Sequence, residues 1–222
     1  IEEQVRTVHS AGDGRYRVWL GKELRTDVMN KHSDETRSVS IEHDHHDQYG
    51  YPERMTTLNA GGSTLVRELT YKHHEGQSLL GLIERETLTF SKPDRPNIVR
   101  TFSYSYSPQG ELTERIIEPE STDSDVYQRT SFTYWPGGLL QRAEQQNQTA
   151  SLQRGVDYQW TTDGGFISRT VNDLGEQTQF GHSSLFGALT WITDPSGHTA
   201  IFQYDTFGRL RLETAPDGSF TE

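Results

Sequence analysis

His43-Asp44-His45-His46-Asp47 is the densest group of potential metal ligands in the chain. On an extended strand, alternation places His43 and His45 on one face and His46 on the other, so two imidazoles and a carboxylate can meet on one side. A metal site also needs further ligands at a recognisable spacing, and none follows. We therefore assign no metal and no cofactor. His73-His74 is a weaker pair at a loop tip. The 32 acidic residues supply carboxylates enough for a glycosidase acid and base, but nothing singles out two of them. Glu118, Glu120, Asp123 and Asp125 lie together in a loop, where an acidic run is a solvated surface. Trp135 and Trp160 offer flat rings for stacking on sugars or for packing onto a neighbouring strand. No nucleophile elbow, phosphate loop, dinucleotide fingerprint or H-E-x-x-H pair occurs. With no cysteine there is neither thiol catalysis nor a disulfide. No catalytic residue is assigned, and the chain reads as non-enzymatic, with a carbohydrate- or protein-binding surface as the alternative.

Whatever these residues do, turns must position them. Six copies of one turn can be aligned, each with glycine four or five positions after an aromatic residue or histidine: His46 to Gly50, Tyr106 to Gly110, Tyr134 to Gly138, Trp160 to Gly164, His182 to Gly187 and Tyr204 to Gly208. A second turn type, rich in Asp, Asn and Pro, ends at Gly175, Gly197 and Gly218. From Gly164 onward the glycines of the two types alternate, 11, 12, 10, 11 and 10 residues apart. Turn signals at that spacing predict consecutive antiparallel hairpins. Each half-unit leaves a strand of about six or seven residues, on the order of 20 Å long and too short for a capped helix. Alternation agrees, with Phe102, Tyr104 and Tyr106 on one face and Ser103 and Ser105 on the other.

The best copy is Tyr204-Asp205-Thr206-Phe207-Gly208-Arg209-Leu210. Gly208 can adopt positive φ, Asp205 can accept backbone N–H groups, and Tyr204 presents a ring with a polar tip at the strand end. We read Tyr204, Asp205, Gly208, Gly187, Gly164, Gly138, Gly110 and Gly50 as structural turn positions, with Gly208 the least open to replacement.

Apolar residues make up only 31% of the 222, as a thin sheet with a large wetted face requires. The formal net charge of −11 argues against nucleic acid as a partner, because phosphate binding relies on clustered Lys and Arg. No apolar run approaches the 18 or more residues that span a bilayer, so membrane insertion by this segment is not expected. Residues 1–96 carry a divergent pattern and 97–222 a regular one, within a single segment expected to belong to a much longer protein. Loops are expected at Ser91 to Pro96 and Ile117 to Asp125. Gln-rich Ala143 to Leu152 is the best helix candidate, better read as a loop with strand ends.

The Tyr-Asp-x-x-Gly-Arg-Leu segment, with Asp194-Pro195-Ser196-Gly197 before it and Pro216-Asp217-Gly218 after it, resembles the Rhs, or YD, repeat family. Arg100 to Tyr104, Gly110 to Pro119 and Thr170 to Gly175 are similar to the repeat-bearing middle of bacterial Rhs-type toxins and of the B component of Tc toxin complexes. The resemblance implies an all-β fold, consecutive hairpins forming one long curved or spiralling sheet that is part of a hollow shell. It further implies a secreted or cell-surface protein whose partners are the rest of the shell, its enclosed C-terminal cargo and other toxin-complex subunits. No stretch matches the family's self-cleaving element or a toxic domain.

Overall fold

The computed structural model describes residues 2–10, 16–28, 36–59, 62–123 and 125–221, with side chains described from Ile41 onward except Asp44. The chain is all-β apart from one 3-10 turn, Glu75–Gln77. It divides into two compact units, residues 1–128 and 129–222. The first holds β1 (Glu2–Ser10), β2 (Tyr16–Val28), β3 (Thr36–His46), β4 (Pro52–Asn59), β5 (Thr64–His74), β6 (Leu79–Ser91), β7 (Ile98–Tyr106) and β8 (Leu112–Ile117). The second holds β9 (Gln128–Tyr134), which starts at the boundary, β10 (Leu140–Gln146), β11 (Gln153–Trp160), β12 (Ile167–Asn172), β13 (Gln177–His182), β14 (Leu189–Thr193), β15 (Thr199–Tyr204), β16 (Leu210–Thr214) and β17 (Phe220–Thr221). Within each unit every strand pairs antiparallel with the next.

Strand length follows turn spacing. In the second unit β9 to β16 run 5 to 8 residues, whereas β2 and β6 reach 13. The longer strands arise where breakers are far apart, since residues 79–91 contain a single glycine, Gly81, and no proline. The Gln-rich stretch is β10 followed by a turn at Asn147 to Leu152, because the alternation of β10 continues to Gln146 and the Asn147 side chain then accepts the Leu152 N–H at 3.1 Å.

Burial is shallow throughout. Among the described residues Leu69 is the only buried apolar side chain, and Glu86 and Thr130 are the buried polar ones. Cohesion therefore comes from backbone ladders and cross-strand pairs, each pair contributing roughly 0.2–1 kcal/mol. In the second unit Phe180, Ile192 and Ala200 form one such half-buried row across three strands. Gln179, Trp191 and Ile201 point the other way and are exposed.

Candidate functional site

The recurring feature is the hairpin corner. At Asp205 the backbone N–H donates to Arg209 O at 2.9 Å and Gly208 N donates back to Asp205 O at 3.0 Å. Asp205 Oδ1 accepts the N–H groups of Phe207 and Arg209 at 2.9 and 3.0 Å, while Oδ2 holds the Arg209 guanidinium at 2.7 Å. Two earlier copies replace aspartate with serine. Ser107 Oγ takes the N–H groups of Gln109 and Glu111, each at 3.2 Å, and Ser183 Oγ takes that of Leu185 at 3.2 Å. At these two corners the loss of the literal Tyr-Asp pair leaves the turn chemistry intact, and at Trp135 the backbone bonds of the turn persist without a side-chain cap. The Asn172 and Asp194 turns repeat the same pattern, so the two turn types distinguished by composition share one backbone geometry.

What separates them is a bulge. The register slips between Ser105 and Tyr106, Gln159 and Trp160, Gly181 and His182, and Gln203 and Tyr204, always just before the aromatic residue or histidine that opens the corner. The extra residue on the returning strand is Thr113, Ser168, Thr190 or Arg211, polar in every case. The ladders β10–β11, β12–β13 and β14–β15, which join at the opposite edge, show no slip. Each bulge adds local twist and re-aims the side chain beside it. Trp160 Nε1 thereby donates to Leu140 O and Tyr204 OH to Leu189 O, both at 2.8 Å, and each carbonyl belongs to the first strand residue after the preceding corner of that edge. In the copy between them His182 stacks on Phe166, with centroids 4.8 Å apart, and its Nδ1 is buried without a hydrogen-bond partner.

The sites Gly50, Gly110, Gly138, Gly164, Gly187 and Gly208 all have positive φ, between 66° and 91°. On the bulged edge of the second unit these glycines carry a packing duty as well. A Cβ at Gly164 would lie 3.2 Å from Leu139, at Gly187 2.5 Å from Phe166, and at Gly208 3.2 Å from Phe186. Leu139, Phe166 and Phe186 each come from the preceding corner of the same edge. At Gly175, Gly197 and Gly218 on the opposite edge a Cβ would meet nothing within 4 Å. One edge is a stack of interlocked corners, and the other is a row of separate ones.

Several aspartates titrate with these turns. The Arg209 backbone N–H holds the Asp205 carboxyl below the usual carboxylate range, and the His198 N–H does the same for Asp194. Hydroxyl donors Thr161 and Ser219 lower Asp163 and Asp217, and Arg142 lowers Asp173. A folded-state value below the unfolded one gives stability that is complete above the unfolded pKa of about 4 and is lost as pH falls through the folded values. The expected result is a melting temperature level from neutral pH to about 5 and falling below about 4. In amide exchange the Phe207 and Arg209 protons should lose protection there while Leu185, capped by a serine, should not. Equal loss at both corners would remove the aspartates as the cause.

The other residues with chemical potential are held apart. His45 has φ 51°, which breaks the strand alternation and the shared face expected for His43 and His45. Asp47 Oδ1 caps its own turn through the N–H groups of Tyr49 and Tyr51, both at 2.9 Å, while Oδ2 lies 2.8 Å from His73 Nε2. His73 Nδ1 accepts the Gly81 N–H at 3.1 Å, so the imidazole is held between the Asp47 turn and β6. Among the described residues no group of three His, Asp or Glu side chains is arranged to hold a metal. Glu118 and Glu120 pair with Arg100 and Arg85 at 3.3 and 2.6 Å. Trp135 is an exposed corner residue, and the Trp160 indole N–H is committed to Leu140. A node invisible in the sequence centres on Arg142, which bonds Glu144, Asp157 and Asp173 at 3.0, 3.2 and 2.6 Å by lying across Gly155.

Residues 184–219 match the RHS Repeat family. The chain is 25% identical over 232 aligned residues to the probable deoxyribonuclease RhsB of Dickeya dadantii (strain 3937), covering 97% of this chain and 15% of that protein. The fold is similar to the crystal structure of TcdB2-TccC3, with a TM-score of 0.57 at 10% identity, covering 96% of this chain and 15% of that one. A second structure, TcdB2-TccC3-TEV, gives a TM-score of 0.55 at 10% identity over the same shares. The chain thus spans about 15% of the length of these proteins. Among the described residues no helix is long and apolar enough to cross a membrane. Residues 184–219 thus carry an RHS Repeat, and over 96% of the chain the all-β fold is similar to that of TcdB2-TccC3.

Proposed function

We propose that this segment is a structural wall of an Rhs/Tc-type toxin shell, without catalysis of its own, that helps to enclose a toxic C-terminal cargo. The observation that supports the reading most is the bulged edge, where each corner packs on the preceding corner. A device of that kind extends a sheet without a core, which is what a wall needs and a catalytic pocket does not. Asp47, His73, Glu118 and Glu120 are committed to turns and ion pairs. The partners of the segment are then the remainder of the same shell, the cargo within it and, by likeness to the two-part name TcdB2-TccC3, other toxin-complex subunits. Any nuclease activity of the kind named for RhsB would belong to another part of the whole protein. This segment takes no nucleic acid partner and does not insert into a membrane, and the whole protein is secreted or displayed at the cell surface.

The test is limited proteolysis of the natural protein that contains this segment. The cargo domain should resist protease while the shell is native and become digestible when the shell is opened by mild denaturant. A cargo cut equally fast under both conditions would refute enclosure.

A further inference from the structure

We propose that a cleft beside the Tyr106 corner of the first unit binds the phosphate group of a small molecule, with Lys72, His74, Gln77 and Tyr106 as its donors. The cleft measures about 430 Å³ and lies between the 3-10 turn Glu75–Gln77 and the turn that starts at Ser107. Its position follows from a break in the corner pattern. Tyr71, Trp160 and Tyr204 each stand at a register slip, and each donates to the first strand residue after the preceding corner, at Pro52 O, Leu140 O and Leu189 O, all at 2.8 Å. Tyr106 stands at the same kind of slip, but its hydroxyl has no hydrogen-bond partner among the described residues. The corner before it is irregular, a 3-10 turn closed by Ser78 at φ 55° in place of a glycine. The polar tip that elsewhere fastens one corner to the next is left free at the cleft wall.

Lys72 and His74 belong to β5 on either side of His73, whose ring turns the other way to Asp47. The β5–β6 register slips here, with Leu80 and Gly81 together opposite His73, and both flanking side chains line the cleft. Neither has an ion-pair or hydrogen-bond partner among the described residues, and the same holds for the Gln77 side-chain amide. No Asp or Glu lines the cleft, in a chain with 32 acidic against 21 basic residues. The carboxylates nearest in sequence, Glu75 and Glu111, take the Tyr49 and Ser107 hydroxyls. Local charge is thereby reversed, which selects an anion. Phosphate suits the donor set better than a carboxylate, because it offers three acceptor oxygens to an ammonium, an imidazole N–H, an amide and a phenol where a carboxylate offers two. Burial pushes the Tyr106 hydroxyl up, so it keeps its proton and serves as a donor. The volume lies at the small end of ligand clefts and leaves room beside the phosphate for an organic group. The inference does not rest on the shell reading, and an empty site would leave that reading as it stands.

The experiment is a chemical-shift titration of the full chain with inorganic phosphate and with phenyl phosphate, beside acetate and phenol, at fixed ionic strength. At least one phosphate probe is expected to give saturable shifts at the His74 ring protons and the Gln77 side-chain amide, and acetate and phenol none. Tighter binding of phenyl phosphate assigns a monoester and tighter binding of inorganic phosphate the free ion, and either supports the site. Lys72→Gln should weaken binding about tenfold, the loss expected of a charged hydrogen bond. Tyr106→Phe should weaken it about fivefold while leaving the melting temperature unchanged, because the hydroxyl holds no other part of the protein. The proposal is overturned if neither phosphate saturates these signals, if acetate saturates them as tightly, or if either variant binds as tightly as the parent.

Discussion

Gly187→Val is expected to lower the stability of the chain by about 3 kcal/mol, from two additive causes. At φ 66° a β-branched residue sits in the left-handed region, which costs roughly 1–3 kcal/mol. Its Cβ would also lie 2.5 and 2.8 Å from Cζ and Cε1 of Phe166, an overpacking of about 1–3 kcal/mol. Phe166 has little freedom to yield because its ring is stacked on His182 at 17°. Gly208→Val isolates the first cause with a milder second one, since the contact is 3.2 Å and Phe186 is 47% exposed and can turn away. Gly175→Val removes the second cause, with φ 79° and open space around the Cβ, and should cost about 1 kcal/mol. Urea denaturation should rank the three in that order. Equal losses at all three would mean that stacking on the bulged edge contributes nothing, and the argument for an interlocked wall would lose its main support.

The same comparison shows what the sequence made legible. The aromatic-to-glycine spacing identified six corners and their glycines, because a turn that needs positive φ selects glycine almost regardless of context. Ala150 is the informative exception, a non-glycine at φ 54° closing the Asn147 turn. Without a glycine there, composition gives the Gln-rich stretch only as a loop with strand ends, and nothing in it places the turn at Asn147. The bulges were also hidden, since Thr113, Ser168, Thr190 and Arg211 are ordinary polar strand residues and only register reveals them as surplus. Packing partners such as Phe166 for Gly187 lie 21 positions apart with no fixed offset from their own glycine, so local pattern could not pair them. The histidine cluster misled for a related reason. Alternation assumes extended backbone throughout, and His45 departs from it.

The second large effect lies where a charge is buried in an otherwise wet sheet. Glu86 in β6 is 9% exposed, and its two oxygens hold Arg67 Nε at 2.6 Å and Tyr104 OH at 2.9 Å on the flanking strands. It faces Leu69 on one side and Phe102 on the other, so water cannot replace a lost partner easily. Removing one member of a fully buried pair costs about 3–5 kcal/mol. Arg67 is 38% exposed here and can turn to solvent, so Glu86→Ala should cost about 2 kcal/mol. Glu86→Leu, which fills the space between Leu69 and Phe102 with apolar volume, should recover part of that loss. A separate signature distinguishes the hydrogen bond from simple packing. Burial first, and the Glu86 carboxylate second, push the Tyr104 hydroxyl up to about 12. A raised folded-state value means that this contribution is complete below the unfolded pKa of about 10 and is lost as pH rises through 12. Phenolate absorbance should therefore show Tyr104 ionising last in the parent chain and at lower pH in Glu86→Leu. If the variant's alkaline titration matched the parent's, the Tyr104 shift would owe nothing to Glu86, and the site would be a packed corner of the sheet and not a charged clasp across three strands.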